Sequence, residues 1–175
     1  MNLNISLFFK INSLIGRNRW FDLFSKAGAE FVVIAMLGWY MASVFLGSNT
    51  AKETVLVRVG TLAVAWLLGW FIDLLIAVIV KEPRPEVTHP ETKLLFKPIM
   101  KWKSFPSDHA MSAFLMVFLS LMFGLPGVEG LFAMAIWVCW GRVYSGIHYP
   151  FDIVGGLAVA ALVTVISYNL LLVFF

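Results

Sequence analysis

Long apolar runs that no soluble domain could bury constrain this chain more than any other feature. Five of them, at residues 29–47, 59–80, 107–125, 128–144 and 151–175, can each cross or nearly cross a bilayer. A hydrocarbon core of ~30 Å takes about 20 residues of helix. Hydrophobic residues make up 61% of the 175 and charged residues only 13%, whereas a soluble domain is about half apolar and about a quarter charged. Lipid leaves unpaired backbone groups unsatisfied, and these runs are too long and unalternating for barrel strands. The predicted fold is therefore all-α: an integral membrane bundle of about five transmembrane helices.

Ahead of the first run, Lys10, Arg17, Arg19 and Lys26 punctuate an apolar stretch that holds Trp20, Phe21, Leu23 and Phe24. Such a stretch suits one or two helices lying on the membrane. The expected division is an N-terminal interfacial segment, 1–28, and a membrane-embedded domain, 29–175. The stretch lacks a signal peptide's basic start and small-residue cleavage site, so it is expected to be retained. The net charge of +3 is spread thinly, without a basic run interleaved with aromatics, which argues against nucleic acid as a partner. Cys139 is the only cysteine, and an apolar setting makes it a packing residue.

The connections differ sharply between the two sides. Residues 48–58 and 126–130 form brief links on one side. On the other, a long basic loop, 81–106, joins the turn at 142–150. Helices alternate direction, so the end of the second run, the start of the third and the junction of the last two share one membrane face. Three clusters distant in sequence are thereby expected at one rim: Lys81-Glu82-Pro83-Arg84-Pro85, Phe105-Pro106-Ser107-Asp108-His109, and Gly141-Arg142 through His148 to Asp152.

Each cluster carries residues suited to phosphate chemistry. Arg84 and Arg142 offer guanidinium forks that match phosphate oxygens. Pro106 favours a helix start, which sets Ser107 and Asp108 at an N-terminus, either as caps or beside a bound anion. His148 and Asp152 are four apart; with Pro150 in the first helical turn, the Asp152 carboxylate can fold back and hold one imidazole nitrogen, aiming the other as nucleophile or base. His109 is the complementary acid for a departing oxygen. Asp73, a charge inside a span, is expected to be paired, with Lys81 or Arg142 as candidates.

These residues resemble the type 2 phosphatidic acid phosphatase superfamily, which includes the vanadium haloperoxidases. The family pattern is Lys-x6-Arg-Pro, Pro-Ser-Gly-His and Ser-Arg-x5-His-x3-Asp. This chain has Arg84-Pro85, then Pro106-Ser107-Asp108-His109, then Arg142-x5-His148-x3-Asp152. The Phe-Pro-Ser-Asp-His form is most similar to undecaprenyl-diphosphate phosphatases of the bacitracin-resistance type. The resemblance implies a metal- and cofactor-independent lipid phosphatase in which His148 is phosphorylated and Asp152 holds it. It implies that His109 protonates the leaving oxygen and that Arg84, Arg142 and Ser107 bind the phosphoryl group, with Asp108 beside them. Three positions depart from the pattern: Ala77 stands where the lysine belongs, Gly141 replaces the serine, and Asp108 replaces the glycine. Lys81, one turn beyond Ala77, is the expected substitute for the lysine.

The expected substrate is a lipid phosphate or diphosphate, most nearly undecaprenyl diphosphate. Phosphatidic acid or phosphatidylglycerol phosphate is the alternative, and a weakened lipid-binding or transport protein is a second. A metal-dependent hydrolase would take His109, Asp108, His148 and Asp152 as ligands. Lys93, Lys97, Lys101 and Lys103 alternate with apolar residues, which suits a loop on the membrane surface. All of the 13 Lys and Arg except Lys52 and Arg58 fall on the active face. The positive-inside rule would turn that face to the cytoplasm; the resemblance implies the outer face of the plasma membrane, and is followed here. The sequence leaves the oligomeric state open.

Overall fold

The computed structural model describes residues 3–46 and 52–174, and every regular element among them is a helix. In chain order these are α1 (Leu3–Asn12), α2 (Arg19–Glu30), α3 (Val32–Leu46), α4 (Lys52–Val80), α5 (Pro85–Thr88), α6 (Asp108–Met122), α7 (Val128–Tyr144) and α8 (Pro150–Phe174). Helices α4 and α8 are long and apolar enough to cross a membrane. Helices α2 and α3 meet that test only together, bent by 56° about Phe31. With 15 residues, α6 reaches only about 22 Å at 1.5 Å per residue, less than the hydrocarbon thickness of about 30 Å.

The ends of the elements follow local chemistry. Asn18 caps α2 by accepting from the Trp20 and Phe21 amides. The third run, expected to 125, ends as helix at Met122. There Gly124, at φ +62°, closes a Schellman turn, with Leu125 N–H on Ser120 O and Gly124 N–H on Leu121 O. Pro150 opens α8 at its first position. The second run extends two turns outward as helix from Lys52, beyond its apolar part. Gly47, the end of the first run, lies outside the described residues.

Helix α6 is the centre of the bundle, and most of its length is buried, including Met111, Leu115 and Leu119. It packs on α8 through Gly156, where a Cβ would meet the Ser107 carbonyl at 2.5 Å. That is the small-residue approach that tight helix pairs in membranes use. Exposed apolar residues such as Leu67, Phe71, Leu75 and Val78 on α4 form the lipid-facing surface.

The N-terminal helices pack on the bundle's active end. Helix α2 crosses α7 at Gly28 and Gly141, and α3 continues along α7 until Trp39 Nε1 donates to Gly127 O at 3.1 Å. Phe8 of α1 is fully buried, and Asn12 donates to the carbonyls of Lys93 and Tyr144 at 2.8 and 3.3 Å. The crossing also explains one departure from the family pattern. A Cβ on Gly141 would stand 2.4 Å from Ala29 N and 2.6 Å from Ser25 O, so backbone occupies the space a serine needs. Gly141→Ser should destabilise the protein by about 1–3 kcal/mol, the usual cost of overpacking. Thermal unfolding in detergent checks this, and an unchanged midpoint would contradict it.

Candidate active site

The three clusters meet at the end of the bundle where α4 stops, α6 starts and α7 turns into α8. The loop between α4 and α6 is pinned there by its own backbone. Arg84 N–H bonds to Lys101 O at 3.1 Å and Ser104 N–H to Glu82 O at 2.8 Å. The peptide bond between Phe105 and Pro106 is cis. Ser107 then caps α6, and its own N–H donates to Asp152 O at 3.1 Å.

His148 sits in the turn before α8 and is 2% exposed. Its Nδ1 lies 3.2 Å from Asp152 Oδ2. Its Nε2 lies 3.2 Å from Arg84 Nη1 and 3.2 Å from Arg142 Nη2. Guanidiniums only donate, so Nε2 accepts from both and the ring proton belongs on Nδ1, where the carboxylate receives it. Asp152 Oδ2 is itself fixed by Ser104 Oγ at 2.5 Å and by Tyr149 N–H at 2.8 Å.

Both arginines are buried and anchored away from their free edges. Arg84 donates through Nε to Met100 O at 2.5 Å and through Nη1 to Ile147 O at 2.6 Å. Arg142 donates through Nη1 to Ala29 O at 3.1 Å, and its Nε has no partner among the described residues. Burial pulls the Arg84 guanidinium below its usual value, and the charges of Glu86, Asp108 and Asp152 counter that. Half-buried His109, one residue into α6, stands within electrostatic reach of Arg84, Arg142 and His148. Four of the expected site residues, Arg84, Arg142, His148 and Asp152, thus gather at one point, with His109 within electrostatic reach and Ser107 bonded to Asp152 through its backbone.

The remaining expected residues sit differently. Lys81 is exposed at the C-terminus of α4, in the left-handed region at φ +52°, and bonds to none of the cluster. Ala77 is buried and leaves the α4 face without a cation. Asp108 pairs with Lys103, whose side chain is 2% exposed. Lys103 therefore does not lie on the membrane surface with its neighbours; Lys97 and Lys101 remain exposed, and Lys93 donates through Nζ to Ile15 O at 3.0 Å. Asp73 is fully buried, forms no ion pair with Lys81 or Arg142, and faces Asp108 and Lys103 instead. Ser104 is a site residue that the sequence does not point to, and Lys103 figures there only as a surface lysine; a serine and a lysine just before a helix carry no spacing signal.

A metal ion is poorly served by this arrangement. Two guanidiniums face Nε2 of His148, and Lys103 occupies Asp108, so the four side chains of a metal-dependent site do not present free lone pairs to one cation. Among the described residues, no group of three or more His, Cys, Asp and Glu is placed to hold one. An anion fits: cationic forks surround an accepting nitrogen, the geometry a phosphoryl group's oxygens would fill.

Fold and site together define a membrane-embedded phosphatase. Comparison with known proteins gives the family. Residues 58–174 match the PAP2 superfamily model, and the chain belongs to that superfamily. It is 28% identical over 165 residues to the undecaprenyl-diphosphatase BcrC of Bacillus subtilis, covering 92% of this chain and 80% of that protein. It is 27% identical to the putative undecaprenyl-diphosphatase YbjG of Escherichia coli, over 89% of this chain and 76% of that one. The crystal structure of Aquifex aeolicus LpxE superposes with a TM-score of 0.72 at 26% identity, covering 97% of this chain and 96% of the other. A PAP2-type phosphatidylglycerolphosphate phosphatase from Bacillus subtilis shares the fold, with a TM-score of 0.66 at 18% identity, over 97% and 87% of the two chains. The protein is a membrane lipid phosphatase of this superfamily.

Burial, then the charges of Arg142 and Arg84, hold the His148 imidazole well below the usual histidine value of 6.5. An unfolded chain protonates this ring near 6.5 and the folded one does not, so His148 contributes a loss of stability as pH falls below 6.5 and nothing above it. With 15N-histidine label in detergent at pH 6, His148 should give the signals of a neutral ring carrying its proton on Nδ1. An imidazolium signal would contradict this.

Proposed function

We propose that this protein hydrolyses undecaprenyl diphosphate, or a closely similar polyprenyl diphosphate, to the monophosphate and inorganic phosphate through a phosphohistidine on His148. One observation carries the chemistry: Nε2 of His148 is held between two guanidiniums, which can only donate, while Nδ1 faces the Asp152 carboxylate. The substrate class rests on similarity to BcrC over 92% of the chain.

In this reading Arg84 and Arg142 turn from Nε2 to the terminal phosphoryl oxygens when substrate arrives, freeing the lone pair for attack. Ser107 adds its hydroxyl to the same oxygens. The Nε2–P bond forms as the P–O bond to the leaving lipid phosphate breaks, and protonated His109 gives its proton to that oxygen. The substrate's negative charge favours the proton on His109. Neutral His109 then takes a proton from water, whose oxygen attacks phosphorus and releases phosphate, restoring His148. Asp152 holds the ring and balances the positive charge that forms on it. Lys81, exposed on the rim, is close enough in sequence to Arg84 to meet a headgroup but has no bond into the cluster.

The active end is proposed to face outward across the plasma membrane, as the resemblance to the undecaprenyl-diphosphate enzymes implies; a reporter fused after residue 175 would then lie in the cytoplasm. Residues 1–28 are proposed to act as an interfacial collar beside the membrane-embedded domain 29–175.

The test is phosphate release by purified protein from undecaprenyl diphosphate, phosphatidic acid and phosphatidylglycerol phosphate. His148→Ala should abolish turnover, and His109→Ala should lower it by roughly 100- to 10,000-fold, the range of general acid–base catalysis. Full activity in His148→Ala would remove the mechanism. Preference for phosphatidic acid or phosphatidylglycerol phosphate would replace the substrate, and lipid binding without release would mark a weakened enzyme.

A further inference from the structure

Lys103 is a buried cation that the proposed reaction leaves unused. Its side chain is 2% exposed, and its ammonium bonds to Asp108 Oδ1. Fully buried Asp73 lies beside the same pair, its carboxyl group next to that of Asp108. Burying an ammonium costs several kcal/mol that one carboxylate rarely repays, and apolar residues often replace such pairs without loss. A pair of this kind beside a reaction centre is therefore a candidate for use.

The position of Lys103 is set by the site. Ser104, the next residue, holds Asp152, and its backbone is pinned to Glu82. The charge of Lys103 is felt at His148. Asp108 and His109, the first two residues of α6, line a cavity of about 570 Å³ between α3, α4 and α6, whose other walls include Leu37, Leu62, Trp66 and Trp70. A leaving group protonated by His109 departs toward that apolar cavity. Lys103, through Asp108, is the cation on the way.

We propose that Lys103 binds the second, lipid-attached phosphate of a diphosphate substrate, and so selects lipid diphosphates over lipid monophosphates. The proposal rests on the phosphatase reading given above. Arg84 and Arg142 take the reacting phosphoryl group beside Nε2. Lys103 shares its ammonium between Asp108 and the lipid-attached phosphate, which a monophosphate substrate lacks. In the empty site Asp108 supplies the counter-charge that keeps the ammonium buried.

The experiment compares kcat/KM for a polyprenyl diphosphate and for phosphatidic acid in wild type, Lys103→Gln and Lys103→Arg. Lys103→Gln should lose roughly 10- to 100-fold on the diphosphate, the worth of one charge-assisted contact, and less than about threefold on phosphatidic acid. Lys103→Arg should recover part of the diphosphate rate. Equal losses on both substrates would overturn the proposal and make Lys103 a purely structural ion pair. Wild type without activity on any diphosphate would defeat the substrate reading itself, a separate outcome. Should Lys103→Gln fail to fold, Lys103→Met with Asp108→Asn, which removes both charges, takes its place. That double variant should discriminate against the diphosphate by the same factor, and unchanged discrimination would overturn the proposal.

Discussion

One carboxylate oxygen, Oδ2 of Asp152, ties the site together. It receives Ser104 Oγ from the loop before α6, Tyr149 N–H from the turn before α8, and Nδ1 of His148. A buried anion of this kind persists only with close donors around it, and here the donors come from two separate segments of chain. Satisfying Asp152 therefore brings those segments into register, and it leaves Nε2 of His148 directed at the two guanidiniums. Backbone carbonyls of Met100, Ile147 and Ala29 hold those guanidiniums from behind. The loop, the turn and the N-terminal helices thus all contribute to one cluster of charge.

The bundle explains why such a cluster can exist at a membrane. Helix α6, about 22 Å long, is shorter than the hydrocarbon is thick, and its capped N-terminus lies in a recess with Met100 of the loop 81–106 and Ala29 of α2, whose carbonyls hold the two arginines. Burial makes each charge there expensive alone and each pairing stronger. Catalysis of phosphoryl transfer by positioning and charge stabilisation suits such a recess. An apolar cavity leads from it between α3, α4 and α6, which lets headgroup and hydrocarbon remain in the surroundings each prefers.

Much of this was legible in the sequence, for definite reasons. Hydrophobic runs mark helices α3, α4, α6, α7 and α8 because lipid forbids other backbone arrangements, and alternation of direction places Arg84, His109, Arg142 and His148 at one rim. Pro150 and the four-residue interval from His148 to Asp152 foretell the bond between them. The bend at Phe31 was not legible, since the apolar pattern passes through it. The contact of Gly141 with the α2 backbone was also hidden, because a glycine in an apolar helix looks like any other small residue. Lys103 and Asp73 were misread for different reasons: Lys103 pairs with Asp108 five residues on, across a loop-to-helix junction that no helical spacing encodes, and Asp73 meets that pair from another helix.

The central claim is that phosphorus becomes bonded to Nε2 of His148. Rapid mixing of the protein with a lipid diphosphate labelled in its terminal phosphate, stopped in alkali and mapped by mass spectrometry, reads this directly. The account requires alkali-stable, acid-labile label on His148 that forms and decays within the turnover time. Label on Ser107 or His109, or turnover with no labelled protein at all when decay is made rate-limiting, would contradict it.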